Sequence, residues 1–172
     1  MYNPFGQYVI RLYVNGLWRA VKIDDYFPVD GNNQLLCSYS TKGKLWCSLL
    51  EKAYLKMCNG YNFGGSNTSR DLFIFTSWLP ERKNFSQVED LEKLWDRLVK
   101  GDKRRDVMVS VSTGILPNAE ELGLVVNHAY AVLELKEHEG KKFVLVLNPW
   151  GRFNWKGEYS VDDTDSWTPK LK

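Results

Sequence analysis

Two runs rich in β-branched and aromatic residues, Tyr8–Val14 and Leu17–Ile23, flank Asn15-Gly16. A type I′ turn needs positive φ at both central positions, so this dipeptide between such runs predicts a β-hairpin. Asp24-Asp25 ends the second strand, Pro28 and Asp30-Gly31 mark a loop, and Leu35–Tyr39 suggests a short strand. Apolar residues then recur at helical spacing: Leu45, Trp46, Leu49, Leu50, Ala53, Tyr54 and Met57 form one face, with Gly60 as the stop. Residues 59–69 are loop, with freedom at Gly64-Gly65. A second helical stripe, Val88, Leu91, Leu94, Trp95, Leu98 and Val99, predicts a helix over about 87–99, opened by a Ser86/Glu89 capping box. The later segments fit strands: Val107–Ser112, His128–Leu135 and Lys141–Asn148, with loop at 117–123. Strands, helix, helix, strands, without regular βαβ alternation, predict an α+β domain on antiparallel sheet.

Composition narrows the classes. The chain has 172 residues, 44% of them hydrophobic and 26% charged, so it fits one soluble globular domain, or two small ones. A net charge of +2 gives no footprint for nucleic acid. The basic cluster Lys100, Lys103, Arg104 and Arg105, interrupted by Asp102 and Asp106, reads as a solvated loop. The first residues have neither a basic n-region nor an apolar h-region, and the cleanest apolar run, Phe143–Leu147, is far too short to span a membrane. A cytoplasmic setting is therefore expected, and the sequons at Asn67 and Asn84 read as chance. Three cysteines make no disulfide framework, and no C-x-x-C or H-x-x-x-H spacing marks zinc; no metal site is assigned.

The last two strands carry the candidate chemistry. If Lys136 pairs with Gly140, His128 falls opposite Asn148 on the same face, with Cβ atoms about 4.5–5.5 Å apart. An Asn there can fix the tautomer and orientation of an imidazole, the base and orienter of a nucleophilic triad. A one-residue bulge would send the two to opposite faces. Trp150 lies close enough in sequence to cover the bond and exclude water. Spacing alone leaves a second reading, a core histidine satisfied by its neighbour, and favours it.

The wording around the pair points elsewhere. His128-Ala129-Tyr130-Ala131-Val132, Asn148-Pro149-Trp150-Gly151 and Trp155-Lys156-Gly157-Glu158-Tyr159-Ser160 resemble the calpain cysteine proteases, with their H-A-Y-x-V and N-P-W-G motifs. Trp18 with Val21-Lys22-Ile23-Asp24-Asp25 and Pro28, Leu49-Leu50-Glu51-Lys52-Ala53-Tyr54, and Gly64-Gly65-Ser66 resemble further calpain segments in the same order. Asn3-Pro4-Phe5-Gly6, Ser66-Asn67, Thr76, Trp78 and Pro80-Glu81-Arg82 look most like the PalB-type branch.

The resemblance implies a cysteine endopeptidase in which His128 is the general base, Asn148 orients it and Trp150 shields the pair. It implies an antiparallel, barrel-like α+β subdomain with two helices, the second lobe of a papain-like core, over 1–172 and truncated at both ends. The calpain nucleophile sits in a Q-x-G-x-C-W context, which none of Cys37, Cys47 or Cys58 has; these read as packing thiols. The nucleophile and the oxyanion-hole glutamine are then expected in a missing Cys-bearing subdomain, and this chain alone is expected to be inactive. The alternative is a non-catalytic calpain-like binding or scaffold module. Calcium is also implied, but the usual acidic positions hold Asn154 and Val161, leaving Asp162, Asp163 and Asp165 as nearby oxygen donors; weak or absent binding is expected. The implied partners are protein substrates, together with membrane-remodelling factors only where a full protein carries trafficking domains. Neither nucleic acid nor membrane insertion is expected.

Overall fold

Asn15 and Gly16 take φ values of 52° and 75°, the left-handed pair that a type I′ turn requires. The turn joins β1 (Gln7–Val14) to β2 (Leu17–Asp24) in unbroken antiparallel register from Val14↔Leu17 to Gln7↔Asp24. The structure is a computed structural model that describes residues 2–169 and 171. It has a mixed α+β architecture of small antiparallel sheets and few helices, divided into two units, Met1–Arg82 and Lys83–Lys172. Among the described residues no helix is long and apolar enough to cross a membrane.

In the first unit Leu12, Val21 and Ile23 line one face of the hairpin, and α1 (Trp46–Met57) lays Leu49 and Ala53 against them. The helix stops where the sequence places the stop: Asn59 has φ 71°, and Gly60 N–H donates to Leu55 O at 2.7 Å, a Schellman closure. The strand expected at Leu35–Tyr39 is reduced to one isolated bridge, Val29↔Leu35. Side chains of α1 take up the backbone groups that a partner strand would have paired: Ser48 Oγ donates to Ser38 O at 2.6 Å, and Glu51 accepts Ser38 N–H. A helix with no counterpart in the sequence reading, α2 (Thr68–Thr76), brings Ile74 and Phe75 to the same core. Its N-cap is Asn67, whose side chain accepts Ser69 N–H at 2.9 Å, so the sequon residue has a structural use.

In the second unit the long helix, α3, spans Leu91–Arg104, starting and ending later than expected. The Ser86/Glu89 capping box does not form. Asn84 instead takes Ser86 N–H into a 3-10 turn over Phe85–Gln87, and Asp90 caps α3 by accepting Lys93 N–H at 2.9 Å. The cluster expected as loop is largely helix. Lys100, Lys103 and Arg104 lie in α3, the last two in its final turn, where the carbonyl end favours cations.

The sheet of this unit has the order β3-β4-β5, all antiparallel: β3 (Ser110–Ser112), β4 (Ala129–His138) and β5 (Lys141–Leu147). A four-residue helix, α4 (Ala119–Leu122), interrupts the expected loop before β4. The β4–β5 register differs from the expected one. The turn is the two-residue Glu139-Gly140, with φ of 50° and 75°, so His138 pairs with Lys141 and Lys136 with Phe143. The register then shifts between Val132 and Glu134, and Ala131 pairs with Leu147. One more step brings Tyr130 level with Asn148 and leaves His128 on the same face, diagonal to Asn148. The bulge therefore has the opposite effect to the expected one. The tight turn alone would set the two side chains on opposite faces, and the extra residue restores their parity.

Candidate active site

His128 and Asn148 stand just outside β4 and β5, where the ladder ends and side chains are free to turn toward each other. His128 Nε2 lies 2.9 Å from Asn148 Oδ1. Asn148 is held from every side. Oδ1 also accepts Trp150 N–H at 3.1 Å, while Nδ2 donates to Arg152 O at 2.6 Å and Phe153 O at 3.1 Å. Both amide hydrogens and both acceptor sites are thus used. Flipping the amide would turn Nδ2 toward the Trp150 N–H and Oδ1 toward two carbonyls, so the network fixes Oδ1 on the imidazole. An acceptor there requires the ring proton on Nε2, which leaves Nδ1 with the basic lone pair of the neutral ring.

Two aromatic rings bracket the imidazole. Trp150 lies with its centroid 4.4 Å from that of His128 at 54°, and its own indole stays half-exposed. Tyr130 is buried and meets His128 edge-on at 5.0 Å and 89°. The main chain of His128 is held by Thr113, a residue the sequence reading did not single out. Thr113 N–H donates to His128 O at 2.9 Å, and Thr113 Oγ1 accepts His128 N–H at 3.0 Å. A β-branched hydroxyl just past a strand is an ordinary surface pattern, so nothing in the sequence marks it. Asn127, which precedes the histidine, takes φ 49° in the turn that enters the site.

The cysteines lie in the first unit. Burial, followed by the neighbouring Glu51 carboxylate, pushes the Cys37 thiol above its ordinary value, which keeps it protonated. Cys47 Sγ lies 3.6 Å from Lys44 O, and Cys58 is the C-cap of α1.

Residues 1–172 match the family model described as calpain family cysteine protease. The chain belongs to the calpain family. It is 46% identical, over a 181-residue alignment, to Calpain-7 of Homo sapiens, which covers 99% of this chain and 22% of that protein. It is 42% identical over 154 residues to the calpain-like protease palB/RIM13 of Aspergillus oryzae, covering 86% of this chain and 18% of that protein. A palB/RIM13 protease of Cryptococcus neoformans is 31% identical over 154 residues. The calpain resemblance read from the motifs, PalB-type branch included, therefore holds, and the chain is a region of a calpain-type cysteine protease domain. It spans about a fifth of the length of the curated relatives it matches.

The calcium implied by calpain resemblance does not fit the turn over 159–166 as it is folded. Val161 offers no side-chain donor. Asp163 spends its carboxylate on backbone: Oδ1 accepts from Asp165 N at 3.0 Å and Ser166 N at 3.1 Å, and Oδ2 from Tyr159 N at 2.6 Å. Among the described residues no three His, Cys, Asp or Glu side chains are gathered for a metal ion.

The same bonds make a pH prediction. Hydrogen bonds from Ser166, then the Tyr159 amide, hold the Asp163 carboxyl far below its ordinary value of 3.8. A folded-state pKa below the unfolded one gives stabilisation that is complete above the unfolded value and is lost as pH falls toward the folded one. In an NMR titration the amide signals of Tyr159, Asp165 and Ser166 are expected to hold through pH 3.8 and to move together only in stronger acid. A midpoint near the ordinary value would show that the turn does not depend on the carboxylate.

Proposed function

We propose that this chain supplies the His–Asn part of a Cys-His-Asn triad that hydrolyses peptide bonds in protein substrates, with the nucleophilic thiol on another segment. The observation that carries it is the 2.9 Å contact between His128 Nε2 and Asn148 Oδ1, with both Asn148 groups otherwise saturated. On this reading Nδ1 takes the thiol proton and gives an imidazolium–thiolate pair. Such pairing depresses a thiol pKa far enough for reaction near neutral pH. The thiolate attacks the peptide carbonyl, and Nδ1–H then protonates the leaving amine. Water, deprotonated by the same Nδ1, releases the acid from the thioester.

Asn148 suits this cycle because its carbonyl accepts the Nε2 proton throughout and never competes for it as a base. Trp150 keeps water from one side of that hydrogen bond, which strengthens it. In this proposal the antiparallel sheet of 83–172 belongs to a barrel-like second lobe of a papain-like core.

The placement of the nucleophile is testable on the chain itself. An irreversible thiol-reactive peptide substrate analogue is expected to leave Cys37, Cys47 and Cys58 at the slow labelling rate of ordinary thiols, and a His128→Ala variant is expected to label no differently. Fast labelling of one of the three that disappears in His128→Ala would put the nucleophile inside this chain and refute the proposal.

A further inference from the structure

The hydrogen bonds that set the imidazole direction extend one layer below His128. We propose that Thr113 is a positioning residue for the ring: its hydroxyl fixes the main chain on which the imidazole pivots. The proposal rests on the reading of His128 as the base oriented by Asn148.

Thr113 follows β3 directly and closes both sides of His128. Its N–H donates to His128 O at 2.9 Å, and its Oγ1 accepts His128 N–H at 3.0 Å. The hydroxyl proton goes to Val125 O at 2.5 Å, and His128 O lies 3.3 Å from the same oxygen. Tyr130 holds the other side of Val125, its phenol oxygen accepting Val125 N–H at 2.9 Å. The turn over 125–128 is therefore anchored at Val125 by one hydroxyl and one phenol, and at His128 by the Thr113 main chain and that same hydroxyl. The turn contains Asn127 at φ 49°, in the left-handed region that Asn tolerates better than most side chains. If the His128 backbone swings, Nε2 leaves Asn148 Oδ1, and the contact that fixes the proton on Nε2 goes with it.

Valine has the shape of threonine without the hydroxyl, so Thr113→Val strands Val125 O and His128 N–H while keeping the volume. Thr113→Ser keeps the hydroxyl. The chain has two histidines, His128 and His138, so ring 15N signals of the whole chain are few enough to assign. At a pH where the rings are neutral, His128 is expected to show a protonated Nε2 and a bare Nδ1. Thr113→Ser is expected to keep that pattern. Thr113→Val is expected to lose it, giving two averaged ring nitrogens, while the amide signals of β4 persist.

An unchanged His128 pattern in Thr113→Val overturns the proposal. So does loss of the β4 amide signals in Thr113→Val, which would make the residue structural, or loss of the tautomer in Thr113→Ser. Asn148→Ala separates this from the parent reading. If that variant keeps the fixed tautomer, Asn148 is no orienter and the triad reading falls. If it loses the tautomer while Thr113→Val retains it, only the role of Thr113 falls.

Discussion

In a catalytically complete protease carrying this chain, His128→Ala is expected to lower kcat/KM for peptide hydrolysis by about 10⁴-fold, the upper range for a positioned general base. The size follows from what one ring nitrogen is asked to do. On the proposed mechanism Nδ1 removes the thiol proton, protonates the departing amine and activates the water, so its loss affects both halves of the reaction. Neither Asn148 nor Tyr130 can take over. Asn148 Oδ1, held by the Trp150 N–H, is an amide oxygen with no useful basicity, and the Tyr130 phenol is occupied by Val125 N–H. Asn148→Ala is expected to cost less, on the order of 10²-fold, because it misplaces the base without removing it. The assay is a comparison of both variants on one peptide substrate, with folding checked by circular dichroism. Unchanged hydrolysis in His128→Ala would return the residue to the role of a packed histidine satisfied by its neighbour, and the chain to that of a calpain-like binding module.

What the sequence revealed of this site, and what it hid, divides by range. The Asn15-Gly16 hairpin and α1 are legible because their determinants are local: a turn needing two positive φ values, and a single apolar stripe ended by Asn59-Gly60. The capping of α3 is not, because Ser86 and Asp90 both look like N-caps and the choice falls on Asp90 once Asn84 has taken the Ser86 amide. α2 has no clean period, since Leu72-Phe73-Ile74-Phe75 reads equally as strand. The register that the sequence suggests for the His128–Asn148 pair differs in detail from the observed one. The tip pairs His138 with Lys141, and a shift at Val132/Glu134 then restores the parity, so two offsets invisible in the sequence compensate. Motif wording carried the pair where spacing could not. Thr113 and the 152–153 carbonyls stayed hidden because their meaning is tertiary: they matter only through the loop each one meets.

Gly123→Ala is expected to destabilise the second unit by about 3–5 kcal/mol, near the top of the range for single substitutions. Gly123 is buried with φ 71°, where an L side chain is already strained by roughly 1–2 kcal/mol. A Cβ there would sit 1.8 Å from Asn154 O and 2.8 Å from its carbonyl carbon, and these are backbone atoms that cannot rotate aside. The segment is also pinned in place, since Lys156 N–H donates to Leu122 O at 3.0 Å and Lys156 Nζ to Glu120 O at 3.2 Å. Relief therefore requires moving the 154–156 strand of chain bodily, breaking those bonds. For a unit of this size the cost corresponds to a fall in melting temperature on the order of 15 °C. Gly114→Ala is the matched control: it lies in the same unit with an ordinary φ and open space around it, and is expected to change stability by no more than about 0.5 kcal/mol. Equal melting curves for the two variants would show that the close approach at Gly123 is not a constraint. The consequence reaches the site because Phe153, whose carbonyl holds Asn148 Nδ2, is joined to Asn154. Displacing Asn154 draws that carbonyl away and removes one of the two acceptors of Asn148 Nδ2, leaving Arg152 O, so a glycine without a functional group bears on how firmly Asn148 is held.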